Sequence, residues 1–126
     1  MTVGGAGVTE IEERTFSTRS ELIDSSIVVK MVGNADSAVH DRFKVFLNEL
    51  SEAAVKLHVR EAVFDFQELY FMSSSCLALF LKMVTGVLER PSERYAIRFR
   101  ANQNLRWQKR SLNAVRMYAP EIVEIE

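Results

Sequence analysis

Apolar positions recur along this chain with period two in some stretches and every three to four residues in others, and the changes of period divide it into elements. Phe16 to Ile23 is a strand candidate, and Ser26 to Val32, SIVVKMV, is a stronger one because Ile27, Val28 and Val29 are β-branched. Asp24 and Ser25 supply turn residues between them, so the pair is predicted to be an antiparallel hairpin. Gly33, Asn34 and Ala35 then release the chain, and Asp36 or Ser37 caps a helix expected to run to about Leu57. Its stripe is Val39, Phe43, Phe46, Leu47, Leu50, Ala54 and Leu57, at steps of three and four.

Glu61 to Phe66 is a nearly continuous apolar run broken only by Asp65, as suits a central strand covered on at least one face by helices. After Gln67 and Glu68, Leu69 to Met72 leads to three serines, Ser73, Ser74 and Ser75. A broad-striped helix follows through Leu77, Phe80, Leu81, Val84, Val87 and Leu88, ended by Arg90-Pro91-Ser92. Tyr95 to Ala101 alternates cleanly, with Arg98 and Arg100 on its polar side. A third helix is expected from Leu105 to Tyr118, and Ile122, Val123 and Ile125 offer a last short strand.

This order predicts a single α/β domain: a mostly parallel four- to five-stranded sheet with an N-terminal antiparallel hairpin, covered by about three to four helices. Right-handed strand-helix-strand crossovers return each strand beside its neighbour. Residues 1–10, glycine-rich at their start, are expected to form a flexible tail before a domain spanning 11–126. At 126 residues there is chain enough for one core and not two.

Composition narrows the chemistry. Net charge is -1, yet eight basic residues and one acid, Glu93, lie between Arg90 and Arg116. Arg94, Arg98, Arg100, Arg106, Lys109 and Arg110, with Trp107 and Tyr95 to stack, could face a nucleic acid, but a solvated face explains them as well and the overall charge argues against a dedicated binder. A lone cysteine, Cys76, excludes an internal disulfide, and the two histidines, His40 and His58, give no metal-ligand spacing, so neither metal nor cofactor is expected. No apolar run approaches the roughly 18 residues that span a bilayer, and no signal-peptide pattern is visible, so cytoplasmic residence without membrane contact is the expectation.

The serines are the chemical feature of the chain. At a helix start a hydroxyl oxygen accepts from backbone N–H groups that lack an intrahelical partner, and the positive end of the helix dipole favours anions there. Catalysis by Ser74 would need a base, which neither His40 nor His58 supplies with a third orienting residue, and Gly-x-Ser-x-Gly is absent. Cys76, beside the helix start, reads first as a small core residue rather than a reactive thiol.

The element order, and Leu69-Tyr70-Phe71-Met72-Ser73-Ser74-Ser75-Cys76-Leu77 within it, resemble the STAS domain family of bacterial anti-sigma factor antagonists and sulfate-transporter tails. Its strand end carries an aromatic, Ile or Met, then Asp-Ser-Ser-Gly-Leu. Gly33-Asn34-Ala35-Asp36 sits where the family has Gly-Glu-Leu-Asp. The first serine of the family motif falls on Ser74, the second on Ser75; Ser73 replaces the family's Asp and Cys76 its Gly. The resemblance implies a non-enzymatic regulator of transcription that switches partners. Ser74 would be the phosphorylated residue, with Ser73 and Ser75 behind it, and Asp36, Ser73, Ser74 and Ser75 would face the partner. A kinase-like anti-sigma factor and an opposing phosphatase are the implied partners. The alternative is a STAS scaffold, never phosphorylated, within a larger signalling or transport complex.

Overall fold

The hairpin forms where the β-branched run and the turn residues place it. In the computed structural model, which describes residues 7–126, β1 (Phe16–Ile23) pairs antiparallel with β2 (Ser26–Ala35), and Asp24 takes the left-handed conformation, φ 54°, in the connection. Then follow α1 (His40–Lys56), β3 (Glu61–Met72), α2 (Ser74–Leu88), β4 (Ala96–Arg100), α3 (Arg106–Tyr118) and β5 (Val123–Ile125). Short 3-10 turns precede α1, at Ser37–Val39, and β4, at Pro91–Glu93. The expected class and element order are those found.

All five strands lie in sequence order, β1-β2-β3-β4-β5, with β2 to β5 parallel. Three right-handed crossovers that step in the same direction put α1, α2 and α3 on one face of the sheet. The core lies between: Ile27, Val29, Met31, Phe64, Ile97 and Phe99 from the strands meet Phe43, Phe46, Phe80, Leu112 and Val115 from the helices. Phe80 is the hub, with ring centroids 5.0 to 5.7 Å from Phe43, Phe64, Phe66 and Phe99. The opposite sheet face is more polar, with Val28 and Val63 among charged residues, and is crossed by ion pairs, Lys30 with Glu68 at 2.7 Å and Arg98 with Glu61 at 2.7 Å.

Three boundaries differ from expectation. β2 does not end at Val32 but continues to Ala35, because Gly33 adopts φ 104° and lets the strand bend without leaving the sheet. A side chain there would collide with the Thr15 carbonyl oxygen. β3 runs unbroken through Gln67 and Glu68, with two register shifts against β2, between Lys30 and Val32 and between Gly33 and Asn34. Each inserts one residue into β3, so the inward positions become Phe66, Leu69 and Met72, three apart instead of two.

The third difference is at the start. Residues 1–6 of the expected tail lie outside the described residues, but Val8 is buried and Glu10 is bonded to the outer edge of β1, accepting from Ser20 N at 2.6 Å and Thr18 Oγ1 at 2.9 Å. This segment covers β-edge N–H groups that would otherwise be free to pair with another chain.

Candidate functional site

The three serines sit where β2 and β3 end side by side. Ser73 N donates to the Ala35 carbonyl at 2.8 Å, which fixes the last residue before α2 against the end of β2. Ser73 is extended (φ -68°, ψ 157°) and its Oγ accepts from Cys76 N at 3.2 Å, while its carbonyl accepts from Leu77 N at 2.9 Å. It is therefore the N-cap of α2, the role serine performs well. Ser73 Oγ also lies 3.1 Å from Ser75 Oγ, so these two hydroxyls share a hydrogen bond. Ser74, the first residue of α2, is exposed, and among the described residues its hydroxyl makes no hydrogen bond.

Asp36 reaches the same place from β2. Its carboxylate accepts from Ala38 N at 3.0 Å and caps the turn before α1, and its carbonyl accepts from Cys76 Sγ at 3.6 Å. Cys76 is fully buried, and burial pushes its thiol above the usual range, against the opposing hydrogen bond from Ser73. A neutral, enclosed thiol is a packing residue, as expected. The expected partner-binding residues Asp36, Ser73, Ser74 and Ser75 thus stand together at the carboxyl ends of two central strands.

What holds this end of β3 was not legible in the sequence. β4 pairs with β3 only as far as Asp65, so beyond it β3 has no strand on that side. Gln108 of α3, fully buried, fills the gap: its Nε2 donates to the Phe66 carbonyl at 2.7 Å and the Leu69 carbonyl at 2.9 Å, and its Oε1 accepts from Asn102 N at 2.7 Å. Asn102 Nδ2 donates to the Gln67 carbonyl at 2.9 Å. Two amide side chains stand in for the missing strand. They leave Tyr70 and Phe71, 53% and 48% exposed, as an aromatic pair two and three residues before the cap. The sequence shows the two aromatics shortly before a capping serine, but without the register shift strict alternation would turn Tyr70 inward and leave only Phe71 of the pair outside.

The other candidates disperse. His58 follows α1 in the left-handed conformation, φ 53°, while His58 N and Val59 N donate to the Val55 and Ala54 carbonyls. It is a helix terminator in the position glycine usually takes. His40 Nδ1 lies 3.2 Å from Asp41, and the hydrogen bonds of the described residues join neither imidazole to a serine. The basic residues do not form one face: Arg98 and Arg100 lie on the open side of the sheet near Glu61 and Glu126, whereas Arg106, Lys109 and Arg110 are exposed on α3. Trp107 packs partly buried against the core. Among the described residues no cluster of His, Cys, Asp and Glu suits a metal ion, and no helix is long and apolar enough to cross a membrane.

No family model matches the chain, and no curated protein matches it in sequence. Solved structures do share its fold. An anti-sigma factor antagonist from Mycobacterium paratuberculosis superposes with a TM-score of 0.56 at 16% identity, over 90% of each chain. The anti-sigma factor antagonist SpoIIAA in its unphosphorylated form gives 0.54 at 18%, over 86% of this chain and 87% of that one. The Bacillus cell fate determinant SpoIIAA in its phosphorylated form gives 0.53 at 16%, over 86% and 90%. The likeness is one of fold: the five-stranded mixed sheet with its helices is the STAS fold that the sequence resembles.

Proposed function

We propose that this chain is a regulatory protein-binding module of the anti-sigma factor antagonist kind, a partner switch whose modified residue is Ser74. The observation that carries the reading is the division of labour among the serines. Ser73 is committed to the cap and Ser75 to Ser73, while Ser74 presents an unbonded, exposed hydroxyl shortly after exposed Tyr70 and Phe71 in the chain. A similar fold solved in a phosphorylated form supports carrying modification to this position.

The physical consequence of phosphorylation follows from where Ser74 sits. The group adds about 1.5 to 2 negative charges at neutral pH. At the first turn of α2 the free chain tolerates them, because unpaired N–H groups and the helix dipole face that charge. In a complex the same charges must be desolvated against the partner, with Asp36 adding a like charge from the adjacent turn. The unmodified module therefore binds a kinase-like anti-sigma factor, the modified one is released, and a phosphatase restores it.

The test is a titration of the partner recovered from native cells. Ser74→Ala keeps the affinity of the unmodified chain, and Ser74→Asp weakens it about a hundredfold, the equivalent of about 3 kcal/mol. Equal affinities of the two variants would overturn the switch. The second reading, a scaffold that is never phosphorylated, draws on Ser73 and Cys76 standing where the motif it resembles has Asp and Gly. Intact mass spectrometry of the protein from its own cells, with phosphoserine preserved, separates the two.

A further inference from the structure

A half-open groove runs between α1 and α2 on the face turned away from the sheet, and its volume of about 510 Å³ falls within the range of small-ligand pockets, roughly 300 to 1,000 Å³. From Lys44 to Lys56 it follows α1 for roughly 18 Å. Its apolar lining includes Leu47, Val55, Leu79, Met83 and Val87, and at one end the buried Tyr95 hydroxyl lies 3.0 Å from Ser51 Oγ.

Gly86 lines this groove from within α2, and nothing in its packing requires a glycine. A Cβ there would meet no atom within 4 Å, and its backbone is not in the left-handed region that favours glycine. Glycine inside a helix is unfavourable relative to alanine or leucine. What the missing side chain does here is keep the groove open. The charge around it is lopsided: Lys44, Lys56, Lys82 and Arg90 against Glu52 and Glu93, and among the described residues none of the four cations is ion-paired.

From these two independent features we infer that the α1–α2 groove binds a small anionic amphiphile: an alkyl or aryl body lying on the apolar lining and over Gly86, with a carboxylate, phosphate or sulfonate held by the rim cations. The site lies along the middle and last turns of α2, apart from Ser74 at its start, and it does not depend on the switch.

The experiment is isothermal titration of the full chain with dodecanoate below its micelle-forming concentration, in parallel with dodecyltrimethylammonium, which carries a similar tail and the opposite charge. Dodecanoate is expected to bind saturably with a Kd on the order of 100 μM, given its size, and the cation at least about tenfold more weakly. Gly86→Leu fills the groove and weakens dodecanoate at least about tenfold, while its melting midpoint is unchanged or higher because leucine is the better helix former. A Lys82→Gln, Arg90→Gln pair, which leaves the groove's shape intact, weakens it about fivefold. Absence of saturable binding, equal binding by Gly86→Leu, or equal binding of the cationic amphiphile would each overturn the inference.

Discussion

Replacing Gln108 by leucine removes the side chain that completes the open side of β3 while keeping its approximate volume. The wild-type amide donates to the Phe66 and Leu69 carbonyls and accepts from Asn102 N, all within 2.9 Å, and the two bonds it donates are buried. Three bonds at about 1 kcal/mol or more each, with buried partners left unpaired, give a loss of about 3 to 5 kcal/mol; leucine's greater apolar burial returns about 1. The net expectation is about 2 to 4 kcal/mol, which in urea moves the unfolding midpoint down by about 1 to 2 M. Trp107, adjacent on α3 and the only tryptophan, reports the transition by fluorescence.

Gln108→Glu sharpens the test. Ionised, the carboxylate still accepts from Asn102 but faces two carbonyls it cannot donate to, so its pKa is raised in the folded state. The protonated form can donate to one of them. The variant's stability is therefore greatest below the unfolded glutamate value of about 4.3 and falls as pH rises through the raised folded one. A loss under about 1 kcal/mol for leucine, or a glutamate variant whose deficit from wild type does not change with pH, would refute this account of Gln108.

Gly33→Ala introduces a Cβ at φ 104° against the Thr15 carbonyl and is expected to cost about 2 to 4 kcal/mol, read as a fall in melting midpoint. Burial raises the Tyr95 pKa, opposed by the Ser51 hydrogen bond, so its contribution is full below the unfolded value of about 10 and is lost as pH rises through the folded one. Tyr95→Phe should lose about 1 kcal/mol at neutral pH and show a shallower decline in alkaline denaturation than wild type. Cys76 should react with a disulfide reagent only as fast as the chain opens; labelling at the rate of a free exposed thiol would contradict its burial and raised pKa.

The elements themselves were legible because period and capping chemistry agreed. The strand candidate Phe16–Ile23 is β1, Ser73 caps α2 as a serine before an apolar stripe should, and the steps of three and four from Phe43 to Ala54 are the buried face of α1, although Leu57, the last position of the expected stripe, lies past the helix end and is exposed. Gly33, Gln67 and Gln108 were not legible, and for one reason. Gly33 and Gln67 resemble loop punctuation, and Gln108 resembles a solvated helix residue, when each is taken with its neighbours in sequence. Their roles exist only between elements: a bend against Thr15, an inserted residue relative to β2, and a side chain replacing strand hydrogen bonds. Contacts between residues far apart in the chain, up to 42 positions for Gln108 and Phe66, decide them, and no local window contains them. Gly86 was hidden likewise, since an interior glycine looks like a small defect until the groove it leaves open is seen.

The same non-local register governs the surface that the proposed switch would use. With strict alternation from Phe66, β3 would turn Tyr70 inward beside Met72 and leave Phe71 alone outside. The two inserted residues instead send Leu69 and Met72 inward and put Tyr70 and Phe71 both into solvent, one residue before the serines. That arrangement is held from behind, by Gly33 on one side and by Gln108 on the other, neither of which is exposed. A partner that reads the aromatic pair together with Ser74 is therefore reading the register of β3. Gln108→Leu should weaken partner binding even at temperatures where the variant remains folded, with amide exchange faster from Tyr70 to Ser75 than in the rest of the sheet. Folded Gln108→Leu that binds like wild type would mean that the partner contacts Ser74 without the aromatic pair.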